Sequence, residues 1–347
     1  MHRILHGLAL AALLFTACGG YLYYGYGWCD PYYGGSCYDY VYVAWHPDAL
    51  AATDFDEDGQ LDLAVADRRA GTVWLLRGAF GGGFAPVPSA PLTIPVAPDA
   101  LALANLDGDG DPDLLVLDGS PGEIAAYEGD GHGGFTRLSP PTALRAFTLG
   151  VTRFARGSLD GDAFDDLVTV DSVGGLHVAL GTGDGTFTDV GQGDPAASFL
   201  GPDAAARLAG VQVALADFDA SPGTDLLVLD GERATLAVFS GRGDGTLGPP
   251  RAVSYRTMGD VLAIAPATRA LGDPADLAVL YGDRTDSSAT STLVVVQLGD
   301  GALAFDPMPV GSARSLAARD LDGDGITDLL LTDPAKGAIL TLHAKHR

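Results

Sequence analysis

Asp54, Asp56, Asp58 and Asp62 stand at positions 1, 3, 5 and 9 of a nine-residue stretch with Gly59 at position 6, and an apolar run beginning at Leu63 follows at once. Glycine at position 6 permits the sharp turn that folds the chain back around one point. Four carboxylates brought that close repel one another unless a cation sits between them. An all-oxygen ligand set without His or Cys indicates a hard ion, and a flexible count of six to eight ligands favours calcium over magnesium. An EF-hand opens the same way but needs a Glu at position 12 and a helix on either side. Position 12 is Val65, and the flanks, 50–53 and 61–65, read as short strands. The unit is strand, calcium loop, strand.

The unit recurs. A second copy places Asn105, Asp107, Asp109 and Asp113 at the same positions, and a third places Ser158, Asp160, Asp162 and Asp166 there. A fourth has Asp217, Asp219, a weaker Ser221 and Asp225, with its glycine displaced by one to Gly223. The sixth, with Asp320, Asp322, Asp324 and Asp328, is as complete as the first. A fifth copy starts at Thr268, keeps Asp276 and Leu277, and has no side-chain oxygen at positions 3 and 5. There the fold unit is expected to persist without its metal.

Loop starts at 54, 105, 158, 217, 268 and 320 step by 51, 53, 59, 51 and 52 residues. A period near 50 means stacked blades, because a calcium solenoid of nonapeptides would need a far shorter one. Each period carries an apolar strand after the loop and a third strand such as 71–77, 175–180 or 234–239. A Gly-Asp-Gly turn and a fourth, less regular strand follow. Four short antiparallel strands per period describe a propeller blade. The last repeat stops after its third strand, 338–343, and an unassigned alternating run, 40–45, precedes the first. If that run supplies the missing outer strand, the ring closes without an exposed edge. The expected fold is therefore all-β, a six-bladed β-propeller over 39–347, with seven blades as the alternative.

The loop, the leucine after it, the Gly-led strand and the Gly-Asp-Gly turn resemble the FG-GAP/VCBS repeats of integrin-alpha-type β-propellers. That resemblance implies about five calcium ions held by side chains at positions 1, 3, 5 and 9. It further implies a backbone carbonyl ligand at position 7, which falls on Gln60, Asp111, Phe164, Gly223 and Ile326. Ala163 in place of glycine, Ser221 in place of Asp and the whole fifth loop depart from the pattern, and weaker binding is expected there. If each site has a Kd a hundredfold below external calcium, linkage contributes ~2.7 kcal/mol per ion to folding.

Arg3 ahead of a mostly apolar run, 4–15, reads as a targeting segment over 1–17. It ends in Leu14-Phe15-Thr16-Ala17-Cys18-Gly19, which resembles a bacterial lipoprotein lipobox, with Phe15 departing from the usual Leu. The resemblance implies a lipid-modified Cys18 and anchoring at the outer membrane or cell surface. An ordinary secretory signal, with a secreted or periplasmic product, is the alternative. Cys29 and Cys37 lie eight residues apart in what would be an oxidising setting, so a disulfide is expected, with two free thiols as the alternative. Residues 18–38 read as a Tyr/Gly-rich tether, either sticky at a membrane surface or a spacer whose aromatics pack on the main domain.

The 347 residues carry a net charge of −25, which argues against nucleic acid and anionic membrane as partners. Membrane contact is expected only through the lipid anchor, and the chain is expected to be monomeric. No Gly-x-Ser-x-Gly or phosphate-cradling loop occurs, and the seven histidines are scattered. His132 falls in a hairpin turn, and His177 and His343 lie on third strands. The expectation is accordingly no enzyme. Arg242-Gly243-Asp244 resembles an adhesion motif, but the same place reads Thr182-Gly183-Asp184 in the preceding repeat, so turn geometry explains it. Three functions fit: a surface-tethered binding module for a protein or glycan, an envelope scaffold, or a polysaccharide-acting hydrolase or lyase.

Overall fold

A computed structural model describes residues 23–25, 38–42, 46–79, 83–88, 91–94, 97–118, 123–138, 151–190, 199–201, 203–219, 221–254, 258–268, 274–286, 288–298, 307–321 and 323–344. Cys18, Cys29, Cys37 and Asp322 lie outside the described residues.

Six antiparallel sheets form the six blades of a propeller, as the repeat period predicts. Blade 1 contains β3 (Ala49–Thr53), β4 (Asp62–Asp67), β5 (Thr72–Ala79) and β6 (Gly83–Pro86), with a two-residue β7 (Leu92–Thr93) also paired to β5. Blade 2 holds β8 (Pro98–Ala104), β9 (Asp113–Asp118), β10 (Glu123–Gly129) and β11 (Phe135–Arg137). In blade 3 the strands are β12 (Val151–Gly157), β13 (Asp166–Asp171), β14 (Leu176–Gly181) and β15 (Phe187–Asp189). Blade 4 follows with β16 (Val211–Ala216), β17 (Asp225–Asp230), β18 (Thr235–Gly241) and β19 (Leu247–Ser254). Blade 5 has β20 (Asp260–Ala267), β21 (Asp276–Gly282), β22 (Thr292–Val296) and β23 (Met308–Pro309).

Blade 6 draws on both parts of the chain. Its inner strands are β24 (Leu316–Arg319), β25 (Asp328–Asp333) and β26 (Ala338–Leu342), and β2 (Tyr38–Tyr42) pairs antiparallel to β26, Tyr38 opposite Leu342 and Tyr42 opposite Ala338. The N-terminal strand thus closes the ring, shifted two to three residues from the run read in the sequence. A further strand, β1 (Tyr23–Gly25), pairs with β2 and adds a fifth strand inside the stretch read as a tether.

Second strands explain how the blades stack. β4, β9, β13, β17 and β25 are buried along their whole length, because both faces of each sheet are covered by neighbouring blades. Their sequences are correspondingly near-continuous apolar runs between two aspartates, broken only by Thr169 and Thr332, instead of alternating ones. The core is divided into six clusters, one at each blade-to-blade contact, including Leu50, Val65 and Leu76 of blade 1 against Leu330 and Ile339 of blade 6. Truncating one of the fully buried leucines, such as Leu167 to Ala, is expected to cost about 2–5 kcal/mol.

Candidate metal centres and central channel

Each calcium-type loop joins the inner strand of a blade to the second strand, and its carboxylates first organise the loop's own backbone. In loop 1 the Asp58 amide donates to Asp56 Oδ1 at 3.4 Å, and the Gln60 amide to Asp58 Oδ1 at 2.8 Å. The same two-residue steps recur from Asp109 to Asp107 and Asp111 to Asp109, and from Asp162 to Asp160 and Phe164 to Asp162. Loop 4 repeats them from Asp219 to Asp217 and Ser221 to Asp219, and loop 6 from Ile326 to Asp324. Such bonds hold the side-chain oxygens in a tight spiral.

Left-handed backbone sits where the spacing requires it. Gly59, Gly110 and Gly325 at position 6 have φ of 83°, 99° and 81°. Position 4 is also left-handed: Gly108, Gly161 and Gly323 occupy it in loops 2, 3 and 6, whereas loop 1 forces Glu57 to φ 59°. Ala163 at position 6 of loop 3 escapes the strain by keeping a negative φ.

Position 9 is a clasp. Asp62 is fully buried and accepts the amides of Phe55, at position 2 of its own loop, and of Gly78, near the end of the third strand, at 3.0 and 2.7 Å. Asp113 does the same with Leu106 and Gly129, Asp166 with Leu159 and Gly181, Asp225 with Phe218 and Gly241, and Asp328 with Leu321 and Ala344. Burial pushes Asp62, Asp113 and Asp166 up to about 6, against the pull of those amides, and neighbouring loop aspartates add to the rise. Asp225 is raised for the same reasons.

Among the described residues, three carboxylates converge to within 4.8 Å in two loops: Asp54, Asp56 and Asp58 in loop 1, and Asp217, Asp219 and Asp225 in loop 4. Asp54 Oδ1 is buried without a hydrogen-bond partner, as expected of a donor set shaped for a cation. In loop 1 Arg77 reaches Asp56 Oδ2 at 2.6 Å and also donates to the His132 carbonyl of blade 2 at 2.5 Å, placing a guanidinium beside the cluster. In loop 4 Ser240 Oγ donates to Asp219 Oδ2 at 2.5 Å. Loops 2 and 3 carry an amide and a hydroxyl at position 1, and their oxygens, Asn105 Oδ1 and Ser158 Oγ, accept the amides of Gly108 and Gly161. In loop 6 Asp320 takes the amides of Gly323 and Gly325.

Stitches between blades run through the same loops. The amide at position 8 donates to the position-1 carbonyl of the preceding blade: Asp165 to Asn105 at 3.0 Å, Ala275 to Asp217 at 2.7 Å and Thr327 to Thr268 at 3.1 Å. The Gly-Asp-Gly turns add a second stitch, from Gly185 to the Leu106 carbonyl and from Gly245 to the Leu159 carbonyl. Loop 5 therefore keeps its place in the ring through backbone bonds. In the Arg242-Gly243-Asp244 turn, Asp244 Oδ1 takes the Thr246 amide and hydroxyl at 3.0 and 2.6 Å, as Asp184 takes those of Thr186.

A second set of aspartates went unread in the sequence. Asp67, Asp118, Asp171, Asp230 and Asp333 follow position 9 by five residues and are all buried at the far end of the second strand. Asp67, Asp171, Asp230 and Asp333 cap the next turn with their carboxylates, and three of these also meet a basic side chain: Asp171 with His177 at 2.9 Å, Asp230 with Arg207 at 3.1 Å and Asp333 with Lys336 at 3.3 Å. The recurrent Asp-Leu-x-x-x-Asp was the available signal. Arg207, in the segment that leads into β16, also donates to the Asp203 and Leu200 carbonyls and pins that segment to the blade. His343 lies 3.4 Å from Asp328, beside the loop 6 clasp.

The six inner strands enclose a central channel with a cavity of about 440 Å³. Most of its lining side chains are aliphatic, including Leu50, Leu101, Leu215, Ile264 and Leu316, with Phe154 and two arginines, Arg156 and Arg319, towards the calcium-loop end. Arg319 uses Nε on the Ala52 carbonyl at 3.0 Å and Nη1 on the Ala318 carbonyl at 2.9 Å. Arg156 Nη1 pairs with Asp165 at 3.2 Å. Burial among channel atoms, and then the charge of Arg156, lower Arg319 to about 10, so it remains charged at neutral pH. Arg319 is nevertheless exposed.

Residues 54–116 match the family model described as an FG-GAP-like repeat. That span runs from the start of loop 1 to the middle of β9, one blade period and a little more. No curated protein matches the chain significantly. Among solved structures, the BP39L lectin from Burkholderia pseudomallei is 19% identical, with 89% of each chain covered and a TM-score of 0.54. A mutant of AofleA from Arthrobotrys oligospora is 14% identical over 82% of this chain and 79% of that one, with a TM-score of 0.50. A structural-genomics protein provisionally assigned as a gluconolactonase is 13% identical over 86% of this chain and 89% of that one, with a TM-score of 0.51. At these identities the likeness is one of fold, and it agrees with the propeller.

Proposed function

We propose that this chain is a calcium-stabilised propeller that serves as a binding module for a glycan or protein partner, carried to the cell envelope and anchored there through Cys18. The convergence of Asp54, Asp56 and Asp58 around a buried, unpartnered carboxylate oxygen carries the calcium part. Five ions, held by the loops at 54, 105, 158, 217 and 320, would bring the net charge from −25 to about −15. Their role in this reading is to rigidify the loops, so that what differs between blades is presented on a fixed frame. A lectin of similar fold supports a glycan as partner by analogy of fold alone. The test is a glycan array and a cross-linking pull-down from envelope extract, each run with calcium and with EDTA. A partner captured only with calcium supports the reading, and a blank in both sinks it.

A second reading, hydrolysis or lysis of a sugar polymer or lactone, is favoured by the provisional gluconolactonase of like fold. Purified protein and a substrate panel decide it: a defined, calcium-dependent product would make the chain an enzyme.

A further inference from the structure

We propose that the calcium-loop end of the central channel is a binding site for a small carboxylate-bearing ligand of monosaccharide size, gripped by Arg156 and Arg319. The inference deepens the glycan-binding reading by giving it a location and a charge, yet it needs only the two guanidiniums and the channel.

Both arginines line one cavity whose other side chains are mostly aliphatic. A guanidinium carries five N–H donors in a planar fork. Arg319 commits Nε and Nη1 to the carbonyls of Ala52 and Ala318, on blades 1 and 6, which fixes its plane across the seam of the ring. Nη2 is left for a ligand among the described contacts. Arg156 is held from the opposite quarter by Asp165, which in turn accepts the Asn105 amide at 2.9 Å. Within the rim, Arg156, Arg319 and Asp165 together carry a single net positive charge. A monoanion balances it, where a phosphate dianion would overcompensate. A carboxylate also accepts the charge-assisted hydrogen bonds that a guanidinium donates.

The cavity volume of about 440 Å³ lies within the range of small-ligand pockets. The aliphatic wall and Phe154 offer the sugar ring an apolar face. Negative charge sits at the rim, because Asp54, Asp217 and Asp320 directly follow the inner strands of blades 1, 4 and 6. Cation binding at those loops lowers the barrier to an entering anion, so calcium and carboxylate are expected to bind with positive coupling.

The test is isothermal titration of the calcium-loaded full chain with sodium D-glucuronate, with D-glucose and inorganic phosphate as controls. Glucuronate is expected to bind at least tenfold more tightly than either control. Arg319→Gln is expected to weaken it at least tenfold, and Arg319→Lys, which keeps the charge and loses the fork, by less. Arg153→Gln, at the opposite end of β12, should leave binding unchanged. A glucuronate-terminated oligosaccharide run alongside the free acid distinguishes a glycan end from a free metabolite as the source. No heat with glucuronate up to about 10 mM, or equal affinity in wild type and both Arg319 variants, overturns the site. Neutral glycans bound elsewhere would keep the binding-module reading while removing this one.

Discussion

The Thr327 amide donates to the Thr268 carbonyl at 3.1 Å, the Thr327 hydroxyl accepts the Thr268 amide at 3.0 Å, and the two hydroxyls meet at 2.7 Å. This pair joins a calcium-type loop to the one loop that has no side-chain oxygen at positions 3 and 5. It shows that the loops act as seams between blades. Thr327→Val leaves the Thr268 amide without that partner, at an expected cost of about 1–2 kcal/mol. Chemical denaturation in EDTA reads this loss without any contribution from the ion proposed for loop 6.

Calcium removal should act elsewhere. EDTA is expected to lower the melting temperature by many degrees. Asp56→Ala should narrow the difference between the calcium and EDTA melts, because it removes one member of the converging trio in loop 1. Scanning calorimetry reads both, and an unchanged melt in EDTA would remove calcium from the account.

The position-9 aspartates set the direction of the pH response. Asp62, Asp113 and Asp166 stand at about 6 in the folded chain, above the ordinary 3.8, so the folded state takes up protons more readily than the unfolded one. In EDTA, stability should therefore rise as pH falls from 7 to 5, level off near 4, and decline again as pH climbs through 6. With calcium bound the slope should reverse, because protons compete with the ion for the same carboxylates. Melting curves at pH 5 and pH 7, with and without EDTA, supply the four values needed.

Glu57 occupies a left-handed position that three other loops give to glycine. Glu57→Gly is expected to stabilise the chain by about 0.5–1 kcal/mol, as relief of side-chain strain outweighs the added freedom of the unfolded backbone. Urea denaturation in EDTA isolates this effect from any change in ion affinity.

Tyr281 stands where the other blades have the second buried aspartate, and its hydroxyl is buried without a hydrogen-bond partner. Burial pushes its phenol above the usual range. Tyr281→Phe should therefore be neutral or stabilising by up to about 1–2 kcal/mol, unlike most core substitutions. A loss of more than that in denaturant would reveal a partner for the hydroxyl.

The ring was legible in the sequence because position 9 and the leucine after it must survive wherever a blade survives. Asp276 and Leu277 mark blade 5 even where Ala270 and Gly272 stand in place of the loop carboxylates. The closing strand was legible by subtraction, since the final repeat lacked one. The extra strand β1 was not, because a Tyr/Gly tract shows no alternation to set it apart from a spacer. Nor were Arg156 and Arg319 visible as a pair. They lie far apart in the chain, and only ring closure brings their strands to one axis. Arg77 beside Asp56 is a similar case, since the third strand of a blade gives no sign of how far a side chain will reach across the loop.

Pairing of Tyr38–Tyr42 with Ala338–Leu342 has a consequence for the order of assembly. During synthesis β2 emerges long before β26 exists, and the edge that β26 will cover must wait unpaired. Blades 1 to 5 can form from contiguous sequence, whereas blade 6 requires both chain regions together. Closure is thus the last and least local event of folding, and its slow step is a long-range search. A chain cut short before residue 338 would display two open edges, one at each side of the gap. Such fragments should stack onto one another instead of remaining dispersed.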